Sequence, residues 1–291
     1  MAQTPQFLDR PGGRRVAVHD LTPGAPDEAP VVLLSHAAPG AGDFDPDPKA
    51  TAAHGVRLLS LDRPGYGGSD PTDDFATVDS AADDAAALLD AVLAPGARAG
   101  VAGWSAGGRV ALALAARRPE LVSRVAVIGT PAPDEEVSWI PAEHMAGLDA
   151  LRGQPAPVAQ AALTPVFEPM LVGASGADRL GLVGAADVDA PVLAGDGVAD
   201  RLGTMLDSAV AQGSVGLVAD LVGYTLRPWG FDPADVRAPV LLAYGAADAI
   251  GPEHGRWWAS RLPAARLEEH DGLGHLLVVP TWDRTLSHLT G

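Results

Sequence analysis

The residues best suited to covalent chemistry lie in Gly103-Trp104-Ser105-Ala106-Gly107. This G-x-S-x-G segment stands between a run over 98–103 that reads as a strand and an Ala-rich run over 106–118 that reads as a helix. On so sharp a turn a serine is held in strained backbone geometry with its hydroxyl exposed, and the glycines two residues to either side admit neighbouring backbone without a Cβ clash. The helix start that follows offers N–H donors and a positive dipole end where a carbonyl oxygen would gain charge. In a chain with 34 Gly the segment alone is a weak signal. A serine nucleophile also needs a base within hydrogen-bond reach and a carboxylate to orient it. Asp248 and His275 each follow a predicted strand, the first in Tyr244-Gly245-Ala246-Ala247-Asp248 and the second in Asp271-Gly272-Leu273-Gly274-His275. Asp134 is a rival for the acid and His270 for the base, although His270 ends a strand whereas His275 sits on a glycine-rich loop.

Composition narrows the alternatives. The 291 residues include no Cys and one Lys, Lys49, which removes thiolate nucleophiles, disulfides and Cys-ligated metal sites and leaves one poor candidate for Schiff-base chemistry. Twenty basic against 37 acidic side chains leave a net charge of −17. That balance disfavours nucleic acid and anionic membrane surfaces as partners without itself naming one; the small-molecule substrate expected here comes from the site residues. It also predicts poor tolerance of highly anionic substrates, unless an arginine in or near the pocket compensates. The segment MAQTPQFLDR has no basic-then-apolar leader pattern and no run reaches the length of a bilayer span, so a cytoplasmic location is expected. The eight His form no H-x-x-x-H pair, so neither a metal nor a cofactor is expected.

A scaffold must bring the three residues together. The continuous apolar runs at 31–35 and 56–61 suit strands buried on both faces of a parallel sheet, and 15–19, 98–103, 125–129, 239–244 and 266–270 read as further strands. Helical spacing appears over 77–93, 106–118, 253–261 and 281–289. Such alternation predicts an α/β fold with a mostly parallel central sheet flanked by helices. The stretch 131–230 breaks the rhythm and reads as a helical cap inserted into a core of 1–130 and 231–291; further α/β units with weak strands are the alternative. Asp248 and His275 then fall at strand C-terminal ends, the edge where open α/β sheets bind ligands.

With Ser105, Asp248 and His275 in that order, the chain resembles the α/β-hydrolase fold superfamily. Three further segments carry the resemblance. Ser35-His36-Ala37-Ala38-Pro39-Gly40 is similar to the His-Gly-x-Pro loop after the third strand, and Asp62-Arg63-Pro64-Gly65-Tyr66-Gly67-Gly68-Ser69 to the Asp-x-x-Gly-x-Gly-x-Ser loop after the next. Arg227-Pro228-Trp229-Gly230-Phe231-Asp232 resembles the return to the core in one bacterial group. The resemblance implies a Ser105–His275–Asp248 triad with the N–H groups of Ala38 and Ala106 as the oxyanion hole. Ala37 departs from the usual glycine, so the loop must either accept an L side chain or rearrange. Trp104, His36, Trp139, Phe167 and Trp229 are candidate substrate-binding residues. The expected activity is that of a carboxylesterase-like serine hydrolase, cleaving an ester, lactone or amide of a small or medium apolar substrate. The alternatives are a specialised-metabolism enzyme doing acyl transfer, C–C hydrolysis or cyclisation on this fold, and a non-catalytic binding protein that retains it.

Overall fold

A computed structural model describes residues 5–173 and 176–291. The first four residues of the amino-terminal stretch, and residues 174 and 175 of the predicted cap, lie outside the described residues. Eight strands form one sheet: β1 (Gln6–Asp9), β2 (Arg15–Asp20), β3 (Val31–Ser35), β4 (Arg57–Leu61), β5 (Ala99–Trp104), β6 (Val122–Ile128), β7 (Val240–Gly245) and β8 (Ala265–His270). Their spatial order is β1-β2-β4-β3-β5-β6-β7-β8. β2 runs antiparallel to β1 and β4, and all pairings from β4 through β8 are parallel.

The helices outside the insertion are α1 (Pro48–His54), α2 (Val78–Val92), α3 (Ala106–Arg117), and, after the insertion, α10 (Pro252–Arg261) and α11 (Trp282–Thr290). Successive side chains along a strand point to opposite faces, so each central strand feeds two cores. Leu33, Val101, Val127 and Leu242 enter one, with α2, α3 and Trp258; Val32, Leu34, Ala102 and Leu241 enter the other, with Trp104, Trp282 and Leu286. All six residues of β5 and all six of β7 are buried. This two-sided burial explains their unbroken apolar sequences. α2 starts where Thr77 accepts a hydrogen bond from the Ser80 amide at 3.3 Å.

Two elements were not anticipated. β1 is a four-residue edge strand with exposed ends and no apolar pattern, pinned where Arg10 and Arg14 of its hairpin reach Asp84 on α2 at 2.8 and 2.6 Å. α1 is too short for periodicity to show, and Asp47 caps it by accepting from the Lys49 and Ala50 amides.

Between β6 and β7 the described residues hold helices and no strand: α4 (Ala142–Asp149), α5 (Ala156–Val172), α6 (Gly176–Leu180), α7 (Ala190–Leu193), α8 (Val198–Ala209) and α9 (Val215–Leu226), with short 3₁₀ turns. α8 buries Leu202, Met205 and Leu206 against the second core. α9 lies so near the core that a Cβ on Gly216 would stand 2.5 Å from the Tyr66 ring, and one on Gly223 1.9 Å from the Ala76 carbonyl. No described helix is long and apolar enough to cross a membrane.

Candidate active site

Ser105 is, among the described residues, the one non-glycine with positive φ (54°, ψ −122°). Such backbone costs about 1–3 kcal/mol and persists only where surrounding bonds enforce it. Here the Ser105 amide donates to the Ile128 carbonyl of β6 (2.8 Å), and the Ser105 carbonyl accepts from the Gly108 amide (3.1 Å) and the Thr130 hydroxyl (2.8 Å). The turn closes only with glycine beside it: a Cβ on Gly107 would meet the Ser35 carbonyl at 2.1 Å, and one on Gly103 the Gly107 carbonyl at 2.3 Å.

The Nδ1–H of His275 donates to Asp248 Oδ2 at 2.7 Å, with both side chains buried. A carboxylate only accepts, so this bond places the proton on Nδ1 and leaves Nε2 as the base in the neutral ring. Asp248 is itself oriented, because Oδ1 accepts from the Ile250 amide at 3.0 Å. The loop carrying His275 is held from two sides. Trp104 donates its indole N–H to the His275 carbonyl (3.0 Å), and Asp189, fully buried in the insertion, accepts from the Leu276 amide (3.2 Å).

The loop after β3 is fixed by Arg63, which is fully buried. Its guanidinium donates to the carbonyls of His36 (2.5 Å) and Ala37 (2.8 Å) and forms an ion pair with Asp220 of α9 at 2.7 Å. Tyr66 donates to the same carboxylate at 3.0 Å. His36 donates from Nδ1 to the Ala37 carbonyl and accepts the Arg63 amide at Nε2. Burial, reinforced by the Arg63 charge, pushes its pKa well below the ordinary range, so the ring is neutral. Ala37 does not take positive φ, so the loop accepts an L residue there without rearranging. The amides of Ala38 and Ala106 donate to no other described group.

Ser105, Asp248, His275, Ala38 and Ala106 line one cavity of ≈ 360 Å³. Of the five residues proposed to touch substrate, Trp139 and Phe167 line it too. The other three do not. His36 is enclosed by its own loop, Trp104 is 1% exposed beneath the elbow, and Trp229 lines an adjoining cavity while stacking on Trp258. Neither rival meets the pair: Asp134 accepts the amides of Trp139 and Ile140, and His270 ends β8 outside this cavity. Arg109, one turn after Ser105, lines the cavity and was not anticipated. The available signal was a lone cation in the otherwise apolar run Val110–Ala116 and the glycines before it. Asp189 carried no local signal, because its role depends on how the insertion folds back.

The model of the alpha/beta hydrolase fold family matches residues 30–279. A pimeloyl-[acyl-carrier protein] methyl ester esterase of Chromobacterium violaceum is 31% identical over 218 residues, 74% of this chain and 75% of that protein. The esterase of the same name from Aromatoleum aromaticum is 31% identical over 182 residues, 60% of this chain and 66% of its own length, just under two thirds. In fold, the chain is similar to a hydrolase from Pseudomonas aeruginosa, with a TM-score of 0.68 and 23% identity over all of both chains. By the family match, which takes in every segment described above from β3 to the His275 loop, the chain belongs to the alpha/beta hydrolase fold family.

Proposed function

We propose that this chain is a serine esterase in which Ser105, His275 and Asp248 act as a triad. The observation that carries the reading is the buried 2.7 Å His275–Asp248 bond on the same cavity as a serine in strained elbow geometry. In the first step the Ser105 hydroxyl gives its proton to His275 Nε2 as its oxygen bonds to the ester carbonyl carbon. The carbonyl pair moves onto oxygen, where the amides of Ala38 and Ala106 would hold it. Collapse breaks the C–O bond and the departing alkoxide takes the proton from His275, leaving an acyl-serine. Water repeats the sequence, giving its proton to His275, and Ser105 recovers that proton as the acid leaves. Asp248 stays ionised throughout, fixing the tautomer and stabilising the imidazolium.

The walls support a small to medium, largely apolar substrate. Phe167, Leu182, Leu217 and Leu221 of the insertion face the triad residues across the cavity, so the insertion would serve as a cap. A volume near 360 Å³ falls in the range of small-molecule sites. The names of the two curated relatives favour an ester over an amide.

Labelling by a fluorophosphonate and turnover of nitrophenyl esters test the reading. Ser105→Ala is expected to abolish labelling and lower kcat by about 10⁴-fold or more, with an unchanged melting temperature. Undiminished labelling of that variant would overturn the assignment.

A further inference from the structure

One cation on the cavity that holds Ser105 forms no ion pair among the described residues. Arg109 stands one helical turn beyond Ser105 on α3, about 6 Å along the axis. It is 4% exposed, and Nε and one terminal nitrogen both donate to a single acceptor, the Pro131 carbonyl, at 3.3 and 3.1 Å. Two of its five N–H donors are thereby used, and the other three bond none of the described residues. Its guanidinium lies over the Trp229 ring, 4.5 Å from the centroid, and no carboxylate lies within 4.0 Å of it among the described residues. The carboxylates on the same cavity are both engaged, Asp220 by Arg63 and Asp248 by His275. Burial pulls the Arg109 pKa down to about 10, which leaves it charged at neutral pH. Asp220 and Glu135 act on it only from beyond ion-pair distance. A buried charge without a contact partner is costly, and proteins keep one where something supplies the partner.

Arg109 also lines the adjoining cavity of ≈ 310 Å³, and Trp139, Tyr224 and Thr225 are common to both walls. Tyr224 is 4% exposed and its hydroxyl has no hydrogen-bond partner; the indole N–H of Trp139 and the Nε–H of Arg227 are likewise buried and unpartnered. Nearly all buried polar groups in folded proteins are bonded. These groups belong to residues of the walls that hold the Arg109 guanidinium, where Asp134 is engaged by the amides of Trp139 and Ile140 and Glu135 by Arg152. The N–H groups of Arg109 that bond no described residue call for a ligand that accepts.

We infer that Arg109 is the anion-binding subsite of this active site, and that the substrates include esters whose far end carries a carboxylate. The carboxylate would lie on the free N–H groups of Arg109, at the junction of the two cavities, while the ester carbonyl lies at Ser105. The planar guanidinium suits a carboxylate because it can give two parallel hydrogen bonds. Ser105 and Arg109 share a cavity of ≈ 360 Å³, which suits a spacer of a few carbons. The inference rests on the esterase reading for the position of the reacting carbonyl.

Monomethyl glutarate and dimethyl glutarate, equal in chain length and differing in charge, test it. Wild-type enzyme is expected to show at least tenfold higher kcat/KM for the half-ester, and Arg109→Gln to bring that ratio close to one. Arg109→Lys, which keeps the charge without the fork, should fall between them. No preference in wild type overturns the inference, whether or not the variants fold. So does an Arg109→Gln protein that loses both activities equally, the signature of a purely structural residue. Glutarate itself, titrated calorimetrically, gives a readout free of turnover. Binding to wild type that disappears in Arg109→Gln upholds the anion site even if Ser105 fails to label and the esterase reading falls. Labelled, active enzyme that neither binds glutarate nor prefers the half-ester leaves the esterase and removes the subsite.

Discussion

The sheet core and the helical insertion bury their apolar residues differently. β5 and β7 hide every residue between two helical layers, whereas α5 of the insertion leaves Val158, Val166, Met170 and Val172 half exposed. α5 also carries Pro165 and Pro169 in its interior, each lacking an amide donor for the turn before it. Ser105, Asp248 and His275 all follow core strands, while Phe167, Leu182 and Leu217 come from the insertion. Groups that must stand at fixed distances are carried by the layer packed on both faces. The wall residues come from helices of unequal packing, Phe167 from the half-exposed α5 and Leu217 from α9, which lies buried on the core.

Four substitutions probe this division, and the largest effect belongs to the core edge. Asp248→Asn keeps the shape of the side chain but no longer enforces the Nδ1–H tautomer, so kcat should fall about 10³–10⁴-fold with the fold intact. An ester assay beside a melting curve checks it, and a loss below tenfold would mean that the pair does not govern the base. Next comes the tie between the two regions. Arg63→Met leaves Asp220 buried without its ion pair and releases the carbonyls of His36 and Ala37. Urea unfolding should show a loss of about 3–5 kcal/mol, partly recovered in the double variant with Asp220→Leu. A loss under 1 kcal/mol would show the insertion and the core to be joined elsewhere.

A smaller effect concerns Asp45, whose carbonyl accepts from Arg201 on α8. Burial pushes the Asp45 carboxyl up from 3.8 to about 6, against the hydrogen bonds from Thr51 and the Asp47 amide. Between those values the folded protein holds a proton that the unfolded chain has released. The stability it contributes is therefore present below pH 4 and lost as the pH rises to 6, by about 2–3 kcal/mol. Asp45→Asn should flatten that part of the stability–pH curve relative to wild type; parallel curves would refute it. The smallest effect is expected at α5, where Val166→Ser should change stability by less than about 0.5 kcal/mol. A larger loss would show that α5 is covered in solution.

The core was legible because its physics is local. Continuous apolar runs mark strands buried on both faces, and Gly103 and Gly107 mark a turn where no Cβ fits. Position after a strand left Asp248 and Asp134 both open as partners of His275, and the resemblance pointed to Asp248. Local pattern failed where position depends on distant chain. β1 is a strand only because β2 offers it an edge, and α1 is too short to be periodic. Trp104 and His36 belong to the supports of the site because the backbone around them closes over their rings, which residue type cannot reveal. Arg109 was visible as a cation in an apolar helix, yet that no carboxylate of the described residues lies within 4.0 Å of it depends on how distant segments fold.

The bond from the Leu276 amide to Asp189 makes the insertion a support of the loop that carries His275, the proposed base, and not an exchangeable lid. Gly274 packs so tightly on the Asp189 carboxylate that a Cβ there would stand 2.6 Å from Oδ2. Grafting an insertion from a relative to change substrate choice would thus carry a hidden passenger. Unless the graft restores an acceptor at that point, the loop that presents His275 would lose its outer anchor, and a swap made for selectivity would be read as damage to the base.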